Sequence, residues 1–190
     1  MHARSSHGHR DHYGGLEGFV THYRPRMRPD LRLFAGGEAN FREKWVKRRR
    51  RTGVLGYARP PDAEETAAVE TVCCEASQAL RGTFTTGHIP RQSFERVLEN
   101  TLVDSEGDAS PPLDHLTDAE RLGRLVPDQH PDEHATCYVV QGRGLVVISS
   151  CGHVGLINTI KAAMAVSGVG KLHAVLGGFH LGRRIMSITR

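Results

Sequence analysis

The sequence predicts a layered α/β fold, and three features of its last third carry that expectation. Thr136-Cys137-Tyr138-Val139-Val140 and Leu145-Val146-Val147-Ile148 are two strand-like runs around the turn Gly142-Arg143-Gly144. Leu156, Ile157, Ile160 and Met164 then fall on one helical face that ends near Gly168. Leu172-His173-Ala174-Val175-Leu176 is a further strand, followed by Gly177-Gly178-Phe179-His180. Strand, helix and strand at this spacing stack as sheet and helix layers around one core.

The earlier elements follow the same logic. Gly14-Gly15 leads into Leu16, Phe19, Val20 and Tyr23, whose helical spacing is broken by Pro25 and Pro29. Leu31-Arg32-Leu33-Phe34 predicts a short strand, closed by Gly36-Gly37. Phe41 and Trp45 share one face of a predicted basic helix, and Pro60-Pro61 ends that region. Asp62 is placed to cap a helix carrying Val69, Val72, Cys73, Ala76 and Leu80, which Gly82 stops. Thr83 to Arg91 is strand-like before turns at Gly87 and Pro90. From Asp104 to Asp132 the chain is polar, carries Pro111-Pro112 and lacks a period, which predicts a long loop with one short helix near Thr117.

Composition narrows the class. A chain of 190 residues is expected to form one domain, and 38% hydrophobic residues are enough to exclude a fully disordered chain. No apolar run is long enough for a transmembrane helix, and the N-terminal residues show no secretory signal. The four cysteines are therefore expected to be reduced thiols in a cytoplasmic protein, with Cys73-Cys74 serving packing. Net charge is +4 but uneven: residues 24–59 hold twelve Lys/Arg against three Asp/Glu, and residues 60–141 hold five against sixteen. The run Lys47-Arg48-Arg49-Arg50-Arg51 reads first as a solvated helix face. The acidic block that follows, and the lack of any nucleic-acid-binding motif, disfavour a nucleic-acid partner.

The twelve histidines are more informative. His7-Gly8-His9-Arg10-Asp11-His12 puts four candidate ligands into six residues, with glycine allowing a tight bend. Imidazole suits zinc, iron or manganese, and a carboxylate suits a harder second ion. A cloning tag would not place aspartate between histidines and then run into Gly-Gly-Leu. His153 and His180 each follow a predicted strand, where rigid sheets commonly position ligand-bearing loops. Cys151, two residues before His153, is a soft candidate ligand or a small buried residue. His134, Asp132 and Glu133 are weaker candidate ligands, and the two carboxylates are alternatively candidates to hold ligand histidines in place. His2, His22, His88, His115, His130 and His173 are given no role.

At this point the motifs reach a family. Ser6-His7-Gly8-His9-Arg10-Asp11-His12-Tyr13-Gly14-Gly15-Leu16 resembles the metal-binding motif of the metallo-β-lactamase superfamily. Four further stretches follow in order: Thr86-Gly87-His88-Ile89-Pro90-Arg91 with Phe94-Glu95; Pro131-Asp132-Glu133-His134-Ala135; Ser150-Cys151-Gly152-His153-Val154-Gly155-Leu156-Ile157-Asn158-Thr159; and Gly177-Gly178-Phe179-His180-Leu181. Together they resemble the branch of 7,8-dihydropterin-6-methyl-4-(β-D-ribofuranosyl)aminobenzene-5′-phosphate synthase-like proteins. The resemblance implies an αββα sandwich with one or two divalent ions at the edge between its sheets. It implies that His7 and His9 hold one ion, Asp11 and His12 the second, and that His153 is an additional ligand. The superfamily's usual bridging aspartate is replaced here by Ser150-Cys151. Members also carry more chain on both sides of these motifs. The chain is thus expected to be a single metallo-β-lactamase-like domain over residues 1–190, an incomplete sandwich lacking first strands and C-terminal part. Exposed sheet edges would then favour self-association, marginal solubility and weak metal retention.

The expected function is metal-dependent chemistry on a phosphorylated or ester small molecule, as a hydrolase or as a pterin-transferring synthase. Asp11 is the expected general base or water-orienting group, and Arg91 a candidate phosphate contact. Two rival readings are an inactive metal-binding fragment and a nucleic-acid-binding protein using residues 47–51. Metal stoichiometry with turnover separates the first, and salt-dependent binding the second.

Overall fold

In the computed structural model the described residues are 3–4, 7–36, 44–47, 54–58, 70–73, 82–97, 100–106, 117, 120 and 123–180. At 3–4, 10, 17, 47, 54–58 and 70–73 the description covers the backbone alone. Among these residues the strands form three sheets. In the first, β1 (Ala3–Arg4) pairs in parallel with β2 (Arg32–Ala35), and β2 in parallel with β5 (Glu70–Cys73). In the second, β3 (Lys44–Lys47) lies antiparallel between β4 (Val54–Ala58) and β7 (Thr101–Asp104), and β8 (Leu125–Pro127) flanks β7. In the third, β6 (Thr83–Thr85) and β10 (Gly144–Ser149) both run antiparallel to β9 (Thr136–Val140), and β11 (Leu172–Gly177) pairs in parallel with β10.

The third sheet is the best-formed part. The hairpin Thr136–Val140 to Gly144–Ser149 brings Cys137 opposite Val147 on one face. Leu145 and Val147 project to the same side because strand side chains alternate with a period of two. Helix α3 (Leu156–Ser167; α1 and α2 follow below) covers that side, and Ala163 joins Ala135, Cys137, Leu145 and Val147 in a fully buried cluster. The small side chains Ala162 and Ala163 let helix and sheet approach closely. Gly168, at φ 69°, ends the helix by donating its N–H to the Met164 carbonyl.

Helix α1 (Arg10–Tyr13) is one turn long, and α2 (Leu16–Tyr23) follows it. Val20 of α2 packs on Leu33 of β2, with Leu16 and Leu31 beside them, as the helical spacing predicts. Among the described residues no helix is long and apolar enough to cross a membrane.

Three expectations need correction. Trp45 lies in strand β3, not in a basic helix, and its ring joins Leu102 and Leu125 in a small core. Antiparallel pairing with Thr101 and Leu102 overrides the weak helical spacing of Phe41 and Trp45. Residues 48–51 of the basic run lie outside the described residues. The predicted helix through Val72 is likewise replaced by β5, where the β-branched pair Thr71-Val72 pairs with Leu33 and Phe34; Ala76 and Leu80 lie outside the described residues. The expected long loop contains a strand, β8, which pairs with β7 at the loop's start, and Asp128 N–H donates to the Thr101 carbonyl at 2.9 Å. Near Thr117 the described residues show reciprocal capping bonds, Thr117 N–H to Glu120 Oε2 and Glu120 N–H to Thr117 Oγ1, while most of the expected short helix lies outside the described residues.

One glycine fixes how β11 ends. Gly177 has φ 135°, and a Cβ there would sit inside the carbonyl of Ser149, its pairing partner. Gly178 N–H then donates to Ser150 O at 2.9 Å, tying the two loops that carry His153 and His180. Gly177→Ala is expected to destabilise the protein by about 2 kcal/mol or more in urea unfolding. A loss under about 0.5 kcal/mol would show that the loop needs no such close approach.

Candidate metal centre

The histidines converge from four loops. His9 ends the loop that starts α1, and its carbonyl accepts the N–H groups of His12 (2.9 Å) and Tyr13 (3.3 Å). This turn sets His7, His9 and His12 around one point. Gly8 N–H, between His7 and His9, donates to Asp132 Oδ2 at 2.6 Å. The loop after β8 delivers His130, the loop after β10 delivers Cys151 and His153, and the loop after β11 delivers His180.

Ring centroids lie 4.7 Å apart for His7–His9, 4.2 Å for His7–His12 and 4.9 Å for His7–His153. His130 stacks on His153 at 4.3 Å, and the His180 ring is tilted against His153 at 4.4 Å. Two sets of three donor atoms lie within 4.8 Å of one another: His7, Cys151 and His153 in one, and His9, Asp128 and His130 in the other. His12 Nε2 is 3.0 Å from Cys151 Sγ.

Burial decides the protonation of these rings. Burial, reinforced by the surrounding rings, drives His7 far below the ordinary histidine range. Burial and then the Lys44 charge take His9 down to about 4. His130 falls to about 3 through burial, which outweighs the opposing pull of Asp128. His153 falls to about 2 through burial and the charges of His130 and His9. All four are neutral at pH 7, the state with a free lone pair that a metal requires. Burial raises the Cys151 thiol to about 11, with Asp11 and Glu133 adding to it.

The donors pass a test for a cation. Both ring nitrogens of His153, and Nε2 of His130, are buried without a hydrogen-bond partner among the described residues. An unsatisfied buried polar atom costs about 1–3 kcal/mol. Neutral imidazoles and a thiol whose donor atoms lie this close together are a donor set for a divalent ion of the zinc type.

The carboxylates behind the cluster hold backbone. Glu133 accepts His153 N–H at 3.0 Å and Val154 N–H at 2.6 Å, so it fixes the loop that aims His153. Asp132 fixes the loop between His7 and His9. Burial raises the pKa of both. Of the two readings the sequence offered for them, weaker ligand or support for a ligand histidine, neither carboxylate is in a donor set and the contacts of both run to the histidines' loops.

Other anticipated residues sit elsewhere. The Asp11 carboxylate is 76% exposed, 3.5 Å from His12 Nε2 and outside both donor sets. His134 is buried beside Gly36 and is in neither set. Arg91 donates to Gln129 O at 2.9 Å, with His153 O and Val154 O at 3.4 and 3.5 Å, so its guanidinium braces two site loops instead of facing a phosphate. The N-terminus of α3 is closed to anions as well, because Glu95 accepts the N–H groups of Ile157 (2.9 Å) and Asn158 (3.2 Å).

Three site residues escaped the sequence reading: Asp128, His130 and Lys44. The string Asp128-Gln129-His130 was a readable signal, since acid and imidazole two apart at a strand end repeat the pattern used for His7 and His9. Lys44 carried none. It is 1% exposed, and its Nζ lies 2.7 Å from Asp128 Oδ2 and 3.4 Å from Asp132 Oδ1.

No family model matches the sequence. The chain is 28% identical over 181 residues to the 7,8-dihydropterin-6-methyl-4-(β-D-ribofuranosyl)-aminobenzene-5′-phosphate synthase of Methanocaldococcus jannaschii, covering 93% of this chain and 54% of that protein. Its structure is similar to that of Tm1679, a metal-dependent hydrolase of the β-lactamase superfamily, with a TM-score of 0.65 and 22% identity over 95% of this chain and 57% of that one. The chain therefore spans little more than half the length of either. The fold is that of the β-lactamase superfamily, and the resemblance to the synthase branch holds in sequence along nearly the whole chain.

Proposed function

We propose that the chain works as a metal-dependent enzyme on a phosphorylated or ester small molecule, in the manner of the synthase branch it resembles. The observation that carries this reading is the buried cluster of neutral imidazoles with Cys151, in which the donor atoms of His7, Cys151 and His153 lie within 4.8 Å of one another. His7, Cys151 and His153 would hold the ion, with zinc first and iron or manganese as alternatives, and His9 and His12 stand against it. When bound, such an ion polarises a carbonyl or phosphoryl oxygen and lowers the pKa of water. His180, whose ring is tilted against His153 at 4.4 Å, is a further ligand candidate or a wall of the site. Asp11, exposed beside His12, is the group placed to take a proton at the mouth. Glu133 and Arg91 keep the His153 loop fixed while substrate binds. The buried thiols Cys137 and Cys151 suit a reducing, cytoplasmic setting. Within this class, synthesis of a dihydropterin-linked ribofuranosyl-aminobenzene phosphate is the reaction that the relative's name favours, and hydrolysis is the rival.

The test is metal analysis of the purified protein with turnover of a chromogenic phosphodiester and a chromogenic ester, before and after chelation. Bound zinc, iron or manganese and a metal-restored rate that His153→Ala lowers at least 100-fold would support the reading. Protein that neither retains nor takes up a divalent ion would overturn it.

A further inference from the structure

Lys44, at the start of β3, reaches two carboxylates with one ammonium: Asp128 Oδ2 at 2.7 Å and Asp132 Oδ1 at 3.4 Å. Each carboxylate passes the contact on to a different loop. Asp132 Oδ2 accepts Gly8 N–H at 2.6 Å, and Gly8 lies between His7 and His9. Asp128 Oδ1 accepts His130 N–H at 2.8 Å, and the His130 ring stacks on His153 at 4.3 Å. The same sheet supports the arrangement from a second point. Thr101 of β7, the strand paired with β3, accepts Asp128 N–H at its carbonyl, and its Oγ1 is 3.1 Å from His9 Nε2. The His7 and His153 rings, 4.9 Å apart, therefore stand at the two ends of a chain of contacts centred on Lys44.

We infer that Lys44 is a positioning residue for the metal centre: through Asp132 and Asp128 it sets the spacing of His7 and His153, and so the affinity for the ion they would hold. The inference rests on the metal-dependent reading above and deepens it by naming what pre-sets the donors. Neither charge nor packing accounts for a lysine at this place. By Coulomb's law a buried ammonium beside a cation site opposes the cation, and apolar surroundings strengthen the repulsion. Lys44 is 1% exposed, and after burial its charge is the next cause that keeps His9 unprotonated. Apolar side chains of similar volume commonly stabilise a core as well as a buried ion pair does. What the ammonium adds is a fixed distance between two loops, each carrying a backbone N–H held by its own carboxylate. Contacts of this kind, one step behind the ligands, orient ligand rings and tune the affinity of a site.

The test titrates zinc chloride into the metal-free 190-residue chain in competition with a chromophoric chelator, and repeats the titration with cobalt(II) chloride to read donor geometry from the visible bands. Lys44→Met is expected to bind zinc about 10-fold more weakly or worse, with the cobalt bands shifted or weakened. The sign decides between the two roles of the lysine, because loss of its positive charge alone would tighten cation binding. Lys44→Gln, also neutral and able to donate a hydrogen bond to Asp128, carries the same comparison if Lys44→Met fails to fold. Circular dichroism before each titration shows that the folded protein is being measured. Zinc binding by the folded variant that is tighter, unchanged or weakened by less than about 10-fold would overturn the positioning role. So would a larger loss with cobalt bands identical to those of the wild type, since the donors would then be spaced as before. In both cases the metal-dependent reading stands. Neither zinc nor cobalt bound by the wild type would overturn both.

Discussion

Replacing Lys44 with methionine is expected to destabilise the protein by about 3–5 kcal/mol, the effect of breaking a buried ion pair by removing one partner. Lys44 and its partners Asp128 and Asp132 are each no more than 3% exposed at their side chains. Methionine fills similar volume, so the loss measures charge and not a cavity. It leaves two buried carboxylates facing one another with no counter-charge. Burial alone pushes the Asp128 carboxyl upward, yet His130 and Lys44 together hold it below its ordinary value, so the carboxylate depends on those neighbours for its charge. Urea unfolding of the metal-free protein measures the effect. The triple change Lys44→Met, Asp128→Asn, Asp132→Asn is expected to recover part of it, because it removes the orphaned charges as well. A loss below about 1 kcal/mol for Lys44→Met would mean that water or rearrangement solvates the carboxylates, and that the buried ion pair contributes little.

Lys44 also shows where a single sequence stops being legible. Its partner Asp128 is 84 residues away, and nothing in Glu43-Lys44-Trp45 marks one lysine of a basic stretch as buried. The ends of β3 follow from the same long-range pairing, which is why helical spacing misled there. By contrast, the hairpin of β9 and β10, helix α3 and strand β11 follow from local period and turn residues, because each has one face on the Ala135–Leu145–Ala163 core. The site divides the same way. His7, His9, His12 and His153 were readable because imidazoles at short spacing, or just past strand ends, have few structural uses. His130 was passed over although it lies in an acid- and histidine-rich string, since its inward aim depends on a left-handed backbone that no spacing rule reports. Arg91 looked free to meet a phosphate, and the fold instead spends it on backbone carbonyls.

The metal-free protein is expected to unfold on mild acidification, and the sign follows from the histidines. His7, His9, His130 and His153 all have folded pKa values below the ordinary 6.5, the last three at about 4, 3 and 2. As the pH falls through 6.5 the unfolded chain takes up protons that the folded chain refuses, so stability is lost from that point down towards the folded values. Each excess proton on the unfolded side contributes a slope of about 1.4 kcal/mol per pH unit. Asp132 and Glu133 act in the opposite sense, since burial raises their folded values and the folded state takes up their protons first. Four imidazoles against two carboxyls leave a net loss, on the order of 3 kcal/mol per unit near pH 5. With marginal starting stability, the unfolding midpoint should fall between about pH 5 and 6. A divalent ion on the neutral rings competes with these protons, so the loaded protein should unfold at lower pH than the metal-free one. Circular dichroism against pH, with and without added zinc, measures both midpoints. A metal-free protein whose stability is flat from pH 7 to 5 would show that the rings are solvated and not clustered in the dry interior on which the proposed chemistry depends.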